Sequence, residues 1–320
     1  MTWNSFLRTL VRALLLIGLV LAQVHAAPHA AHAAEIQPNL QIAPAAKVLG
    51  QGDLLILRAN VPGAEIQNVV GDFGGRWVGF VPDRGPRALR GGYIGLIGID
   101  ALHAPGQYTA TLTATVSISN SNANTTPLTV SLAITNISVL VVRDVRYVTE
   151  RVSIPVKLLG TIDPTLSTAE EAQMKRIYSG WTPEQLWQGP LRVPARGRFV
   201  SFYGPSRIYN GINLGTYHAG YDISATKGTT VTAAAAGRVA FVGALAIRGT
   251  VVVVDHGRGV FTGYFHLNKA IVQAGQVLKV GEKLGEIGTT GRSQGNHLHF
   301  ELAVGGATID PGYWLKVALP

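Results

Sequence analysis

Apolar and polar residues alternate along much of this chain, and they seldom recur at helical spacing. In Gln107–Val116, the residues Tyr108, Ala110, Leu112, Ala114 and Val116 fall on one side and the threonines on the other. That is the period-2 pattern of a strand with one buried face. Leu54–Asn60 and Leu128–Ile134 are similar runs, and Asn120–Pro127 is a polar turn between the last two strands. From Pro190 onward short strands return at Thr230–Ala234, Arg238–Val242, Thr250–Asp255 and Val260–Phe265, separated by glycine turns. Short strands joined by tight turns predict an antiparallel sheet folded on itself.

Between these two β-rich stretches the pattern changes. Ser167 and Thr168 precede Glu170 and Glu171 by three residues, a capping box that predicts a short helix over Ala169–Tyr178. Thr182-Pro183-Glu184-Gln185 reads as a second helix start, with proline at the first helical position. The expected fold class is mainly β. An immunoglobulin-like β-sandwich module spans 35–142, a short helical connector 143–189, and an antiparallel β-sheet domain 190–320.

Composition supports that division and narrows the chemistry. Of 320 residues, 47% are apolar and 14% charged, with 38 glycines, which suits β-structure with many turns. There is no cysteine, so disulfides, thiolate-bound metal and a cysteine nucleophile are all excluded. Arg8 and Arg12 precede an apolar run, Ala13–Val24, and small-residue patterns follow at Val24-His25-Ala26 and Ala31-His32-Ala33. This predicts a secretory signal peptide over 1–33 and an exported protein, periplasmic or extracellular at the cell wall. At about 12 residues the run is short of the ~20 needed to span a bilayer, so no stable membrane span is expected after cleavage. The net charge of +9 would hold the protein near anionic polymers. No basic run with interleaved aromatics points to nucleic acid.

The histidines of the last domain gather in three segments: His218–Asp222, Tyr264–Leu267 and Gly295–Glu301. On a strand His297 and His299 share a face, while Leu298 and Phe300 enter the apolar side. Two adjacent imidazoles repel when charged, and a metal, which takes neutral rings, resolves the conflict. Zinc accepts imidazole nitrogen and carboxylate oxygen, and a hydrolytic zinc keeps three protein ligands. His218, Asp222 and one of His297 and His299 supply such a set; spacing does not choose between the two. Tyr264, two residues before His266, would share its strand face and could donate to an oxyanion. His256, Asp255 and His103 read as structural, turn or surface residues.

At this point the residues resemble a known family, the LytM/lysostaphin-type M23 metallopeptidases, whose signatures are His-x-x-x-Asp and His-x-His. The likeness covers roughly Pro190–Leu315, with Ser201–Gly204, Val253–Gly257 and Gly288–Leu302. Asn296 stands where the family usually has proline, and Tyr203–Ser206 varies the usual start. The resemblance implies one zinc ion per chain, bound by His218, Asp222 and His299, with His266 and His297 as the catalytic histidines. It implies a peptidase acting on stem or cross-bridge peptides of peptidoglycan. Alternatives are a non-catalytic regulator of wall hydrolases and a zinc peptidase acting on proteins. All five histidine and aspartate positions are filled, which favours catalysis.

Overall fold

A computed structural model describes residues 40–44, 47–85, 88, 90–120 and 128–320. The predicted signal peptide and most of the polar turn at 120–127 lie outside them. The chain is mostly β, as the alternation predicts. In chain order the first strands are β1 (Gln41–Pro44), β2 (Val48–Gly50), β3 (Leu54–Asn60), β4 (Glu65–Phe73), β5 (Arg76–Pro82), β6 (Tyr93–Gly98), β7 (Gly106–Asn120) and β8 (Leu128–Arg143).

These eight form one ladder in the order β1-β3-β6-β5-β4-β7-β8-β2. β5 turns the corner: Arg76–Gly79 pair with β4, and Phe80–Pro82 pair with β6. The two arms thereby close on a single apolar cluster containing Leu55, Leu57 and Ile97 from one arm and Phe73, Leu112 and Leu140 from the other. In β7 the alternation is realised: Ala110, Leu112, Ala114 and Val116 are fully buried.

The connector departs from its prediction. Strand β9 (Thr149–Val152) precedes a 3-10 turn over Val156–Thr161 and one helix, α1 (Pro164–Tyr178). The helix begins earlier than the capping box suggests. Asp163 is the N-cap, its side chain accepting from Thr165 and Leu166 N–H, and Pro164 follows. Ser167 and Glu170 lie on the buried face with Met174 and Tyr178, at helical spacing. Glu170 is not a capping residue: its carboxylate accepts from Ile247 N–H and Arg248 N–H. The second predicted helix is absent. Thr182–Leu186 bends at Pro183 and Glu184 and lies along the turn after Asp255, held by Thr182 Oγ1 to Asp255, Arg258 N–H to Thr182 O and Leu186 N–H to His256 O.

The last domain comprises β10 (Arg198–Ser201), β11 (Ser206–Tyr209), β12 (Ile212–Tyr217), β13 (Tyr221–Ser224), β14 (Thr230–Thr232), β15 (Gly237–Leu245), β16 (Gly249–Gly257), β17 (Val260–Ala270), β18 (Val277–Leu278), β19 (Lys283–Ile287), β20 (His297–Val304) and β21 (Ala307–Ile309). Its main sheet runs β10-β13-β20-β17-β16-β15-β18, all antiparallel. One face carries Val252, Val254, Tyr264, Leu298 and Phe300; the other carries Val251, Val253, Phe261 and Phe265, covered by Met174 and Tyr178 of α1. β9 joins β11 in parallel beside the β11–β12 hairpin.

Pro38–Pro320 form one compact unit, and the packing explains why. β3 and β6 bury both faces. Leu55 and Ile97 enter the module's own core, whereas Leu54, Ile94 and Leu96 join the cluster of Val260, Leu302, Val304 and Ile309. Arg76 clasps the contact, donating to Gly98 O at 2.8 Å and Gly305 O at 2.9 Å.

Candidate metal centre

Register sets the first two positions of the site. β13 pairs with β20 so that Asp222 lies opposite His299 and Ser224 opposite His297. Ile223, Leu298 and Phe300 are fully buried on the other face, so alternation drives Asp222, His297 and His299 to one side. His218 reaches the same point from the bend before β13. The bend requires Gly220, because a Cβ there would strike Phe300 O.

Three atoms converge. His218 Nε2 is 2.9 Å from Asp222 Oδ1 and 3.0 Å from His299 Nδ1, and the last two are 2.7 Å apart. Each ring is oriented by its other nitrogen. His218 Nδ1 donates to Phe202 O at 2.7 Å, and His299 Nε2 donates to Glu301 Oε1 at 3.1 Å. With both rings neutral, as metal binding requires, those hydrogens leave two imidazole lone pairs and a carboxylate oxygen meeting with no donor among them. A cation resolves such a meeting of acceptors, and two imidazoles with one carboxylate suit a divalent metal. The carboxylate behind His299 fits the usual outer support of a metal-binding histidine. Glu301 is 2% exposed and also accepts from Tyr178 Oη at 2.7 Å. Without a cation, burial lowers the His299 pKa, but Asp222 and Glu301 outweigh it and hold the ring up at about 9, so Nδ1 then carries a proton that a bound metal would displace. Asp222 is held well below the ordinary carboxylate range: burial opposes this, and the two histidines prevail.

A second histidine pair flanks this group. The rings of His266 and His297 lie 4.8 Å apart. His266 Nδ1 donates to Thr290 O at 2.8 Å, and His297 Nδ1 to Gly295 O at 2.8 Å. In the neutral tautomer these bonds select, Nε2 is the nitrogen left free on each ring. His297 Nε2 is 3.8 Å from Asp222 Oδ1. Burial, reinforced by His297 and His299, pushes His266 well below its ordinary pKa, so it is neutral at pH 7. Its backbone is left-handed at φ 59, a conformation seldom stored without a functional reason.

That backbone corrects the expectation for Tyr264. β17 alternates normally up to Phe265, whose ring lies 5.5 Å from His299, and Tyr264 points to the opposite face. The left-handed residue then returns His266 to the face of Phe265. Tyr264 is fully buried, its hydroxyl accepting from Ala234 N–H and Thr262 Oγ1. It does not reach the cluster. His256 is also core: its Nδ1 donates to Ala236 O, its Nε2 meets Thr262 Oγ1, and burial lowers its pKa to about 4. His103 is half-buried, its ring 4.6 Å from that of Tyr108.

The five histidine and aspartate side chains open into a cavity of about 340 Å³. Its walls include Val152 of β9, Glu171 of α1, Tyr209 of β11, Arg292 of the loop before β20, and Leu102 of the N-terminal module. Sequence reasoning did not single out Arg207, Arg248, Arg292, Tyr178 or Leu102. They converge from five segments, and no local spacing announces that.

The comparisons fall on the same part of the chain. Residues 216–311 match the model of Peptidase family M23, so the chain carries a domain of that family. An uncharacterized metalloprotease of Haemophilus influenzae is 39% identical over 146 residues, 45% of this chain and 30% of that protein. The DD-carboxypeptidase/endopeptidase Mpg of Neisseria meningitidis serogroup B is 42% identical over 114 residues, 36% of this chain and 26% of that protein. The chain thus spans under a third of the length of these relatives. A solved peptidase M23 structure from Pseudomonas aeruginosa shares the fold over 84% of this chain and 95% of its own, with a TM-score of 0.57 at 21% identity.

Proposed function

We propose that this protein is an exported zinc metalloendopeptidase that hydrolyses peptide bonds in the stem or cross-bridge peptides of peptidoglycan, with one zinc per chain. The observation that carries this is the meeting of His218 Nε2, Asp222 Oδ1 and His299 Nδ1 beside the His266–His297 pair. Endopeptidase relatives that share the M23 domain support the substrate class. The signal-like first 33 residues support export, and among the described residues no helix is long and apolar enough to cross a membrane.

His218, Asp222 and His299 would hold the zinc, which when bound supplies Lewis acidity and lowers the pKa of water to ~7. The remaining chemistry belongs to the chain. His266 and His297, with Nδ1 anchored on carbonyls, offer Nε2 to take a proton from the attacking water and return one to the leaving amine. Once protonated, either ring can stabilise the developing oxyanion.

We also assign residues 35–142 to an immunoglobulin-like module and retain 143–189 and 190–320 as connector and peptidase domain. The pairing supports the first assignment: β1 joins β3 in one arm, whereas β2 runs parallel to β8 in the other.

The test is digestion of purified peptidoglycan followed by mass spectrometry, beside a chelator control and His299→Ala, with bound zinc measured in parallel. Cleavage at one type of peptide bond is expected, abolished by the chelator and reduced at least ~10³-fold by the variant. Unchanged cleavage by His299→Ala would overturn the metal assignment.

A further inference from the structure

Three guanidinium groups line the cleft beside the histidines: those of Arg207, Arg248 and Arg292. Two are matched by acids. Arg207 lies 3.3 Å from Glu150 and 3.6 Å from Asp222, and Arg248 lies 3.6 Å from Glu170 and 2.8 Å from Glu171. Arg292 has no ion pair among the described residues. Its Nη1 donates to Thr161 O at 3.1 Å, and its guanidinium lies 4.0 Å above the Tyr209 ring. Among the described residues Nε and Nη2 have no partner, and they are not sealed from solvent.

The loop carrying Arg292 is rigidly placed. Gly291 has φ 71 and packs so closely on Gly249 and Ile247 that no side chain fits there. Arg292 N–H donates to Ile247 O at 2.7 Å. One residue on, Ser293 Oγ lies 3.2 Å from His297 Nδ1. A single short loop therefore sets both the unmatched cation and one of the two flanking histidines. Burial first, then the charges of Arg248 and Arg207, lower the Arg292 pKa, with Tyr209 opposing. The side chain nonetheless stays charged near neutral pH. A stacked, half-buried guanidinium with open donors, among like charges, is a receptor for an anion. Its planar fork matches a carboxylate.

We propose that Arg292 is a specificity-determining residue that binds a carboxylate of the substrate peptide close to the bond being cut. The inference rests on the peptidase reading above. Arg292 selects peptides bearing a free carboxylate over their carboxamide counterparts, and the Tyr209 ring and Thr161 carbonyl hold its fork in place.

The experiment compares kcat and KM of the zinc-loaded, full mature chain on two synthetic cross-linked stem peptides. They are identical except that the carboxylates flanking the scissile bond are free in one and amidated in the other. Wild type should favour the acid about tenfold or more in kcat/KM, chiefly through KM. In Arg292→Gln the ratio should fall to within about twofold. Arg292→Lys, which retains charge without the fork, should fall between. Melting curves of the three proteins check folding, and the wild-type comparison needs no variant. Equal use of acid and amide by wild type, or a preference that survives Arg292→Gln, overturns the carboxylate site while leaving the peptidase reading intact. Cleavage of neither peptide by wild type overturns both.

Discussion

At the scale of single residues, the site depends on hydrogens fixed elsewhere. His299 can face Asp222 with a lone pair only because Glu301 takes the hydrogen on its other nitrogen, and Tyr178 holds Glu301 in turn. Strand alternation places Glu301 on the face of His299, so that link is legible in the sequence. Tyr178, more than a hundred residues away, is not. Replacing Glu301 by Gln removes the charge but keeps the shape. Zinc affinity, measured by competition with a chromophoric chelator, should fall about 10- to 100-fold, with the far-UV spectrum unchanged. Tyr264 shows the converse. Its spacing from His266 is that of one strand face, but the left-handed backbone at His266 breaks the period between them. Only the folded chain reveals that break.

At the scale of elements, the β13–β20 register is what makes the centre. A slip of one residue would turn Asp222 into the core and leave His299 opposite Ile223 or Tyr221. Buried Ile223, Leu298 and Phe300 resist the slip, and the missing side chain at Gly220 permits the bend that brings in His218. Gly220→Ala would force the bend away from Phe300 O, which belongs to backbone and cannot rotate aside. The expected outcome is a lowered melting temperature and loss of the upward shift that zinc otherwise gives. Scans with and without the metal read both. The connector was less legible. A capping-box sequence and a Thr-Pro-Glu-Gln start both exist, yet Asp163 caps the one helix that forms, and Thr182–Leu186 is spent on contacts with the β16–β17 turn. Tertiary contacts override such weak local signals.

At the scale of the whole chain, the N-terminal strands β3 and β6 share apolar surface with the sheet that carries the site, and Leu102 stands in the wall of the cleft. Gly98 marks the closest approach: a Cβ there would come 2.8 Å from Ile309 Cγ2 and 2.9 Å from Ala307 O and Val304 O. Gly98→Val should therefore act by overpacking, lowering stability by about 1–3 kcal/mol in urea unfolding. A Gly160→Ser control, at an open position with ordinary backbone, is expected to cost much less. An unchanged urea midpoint in Gly98→Val would contradict the shared core.

The sequence by itself determined the β character, the alternating faces and the five candidate side chains of the site, because strand periodicity and residue chemistry are local properties. It also carried the M23 likeness, since the motifs are short and ordered. What only the tertiary structure decided is which nitrogen of each ring is free, which carboxylate and hydroxyl stand behind His299, and which of three arginines lacks an acid. Those depend on atoms brought within about 3 Å from segments far apart in the chain, and no spacing along one strand encodes such distances.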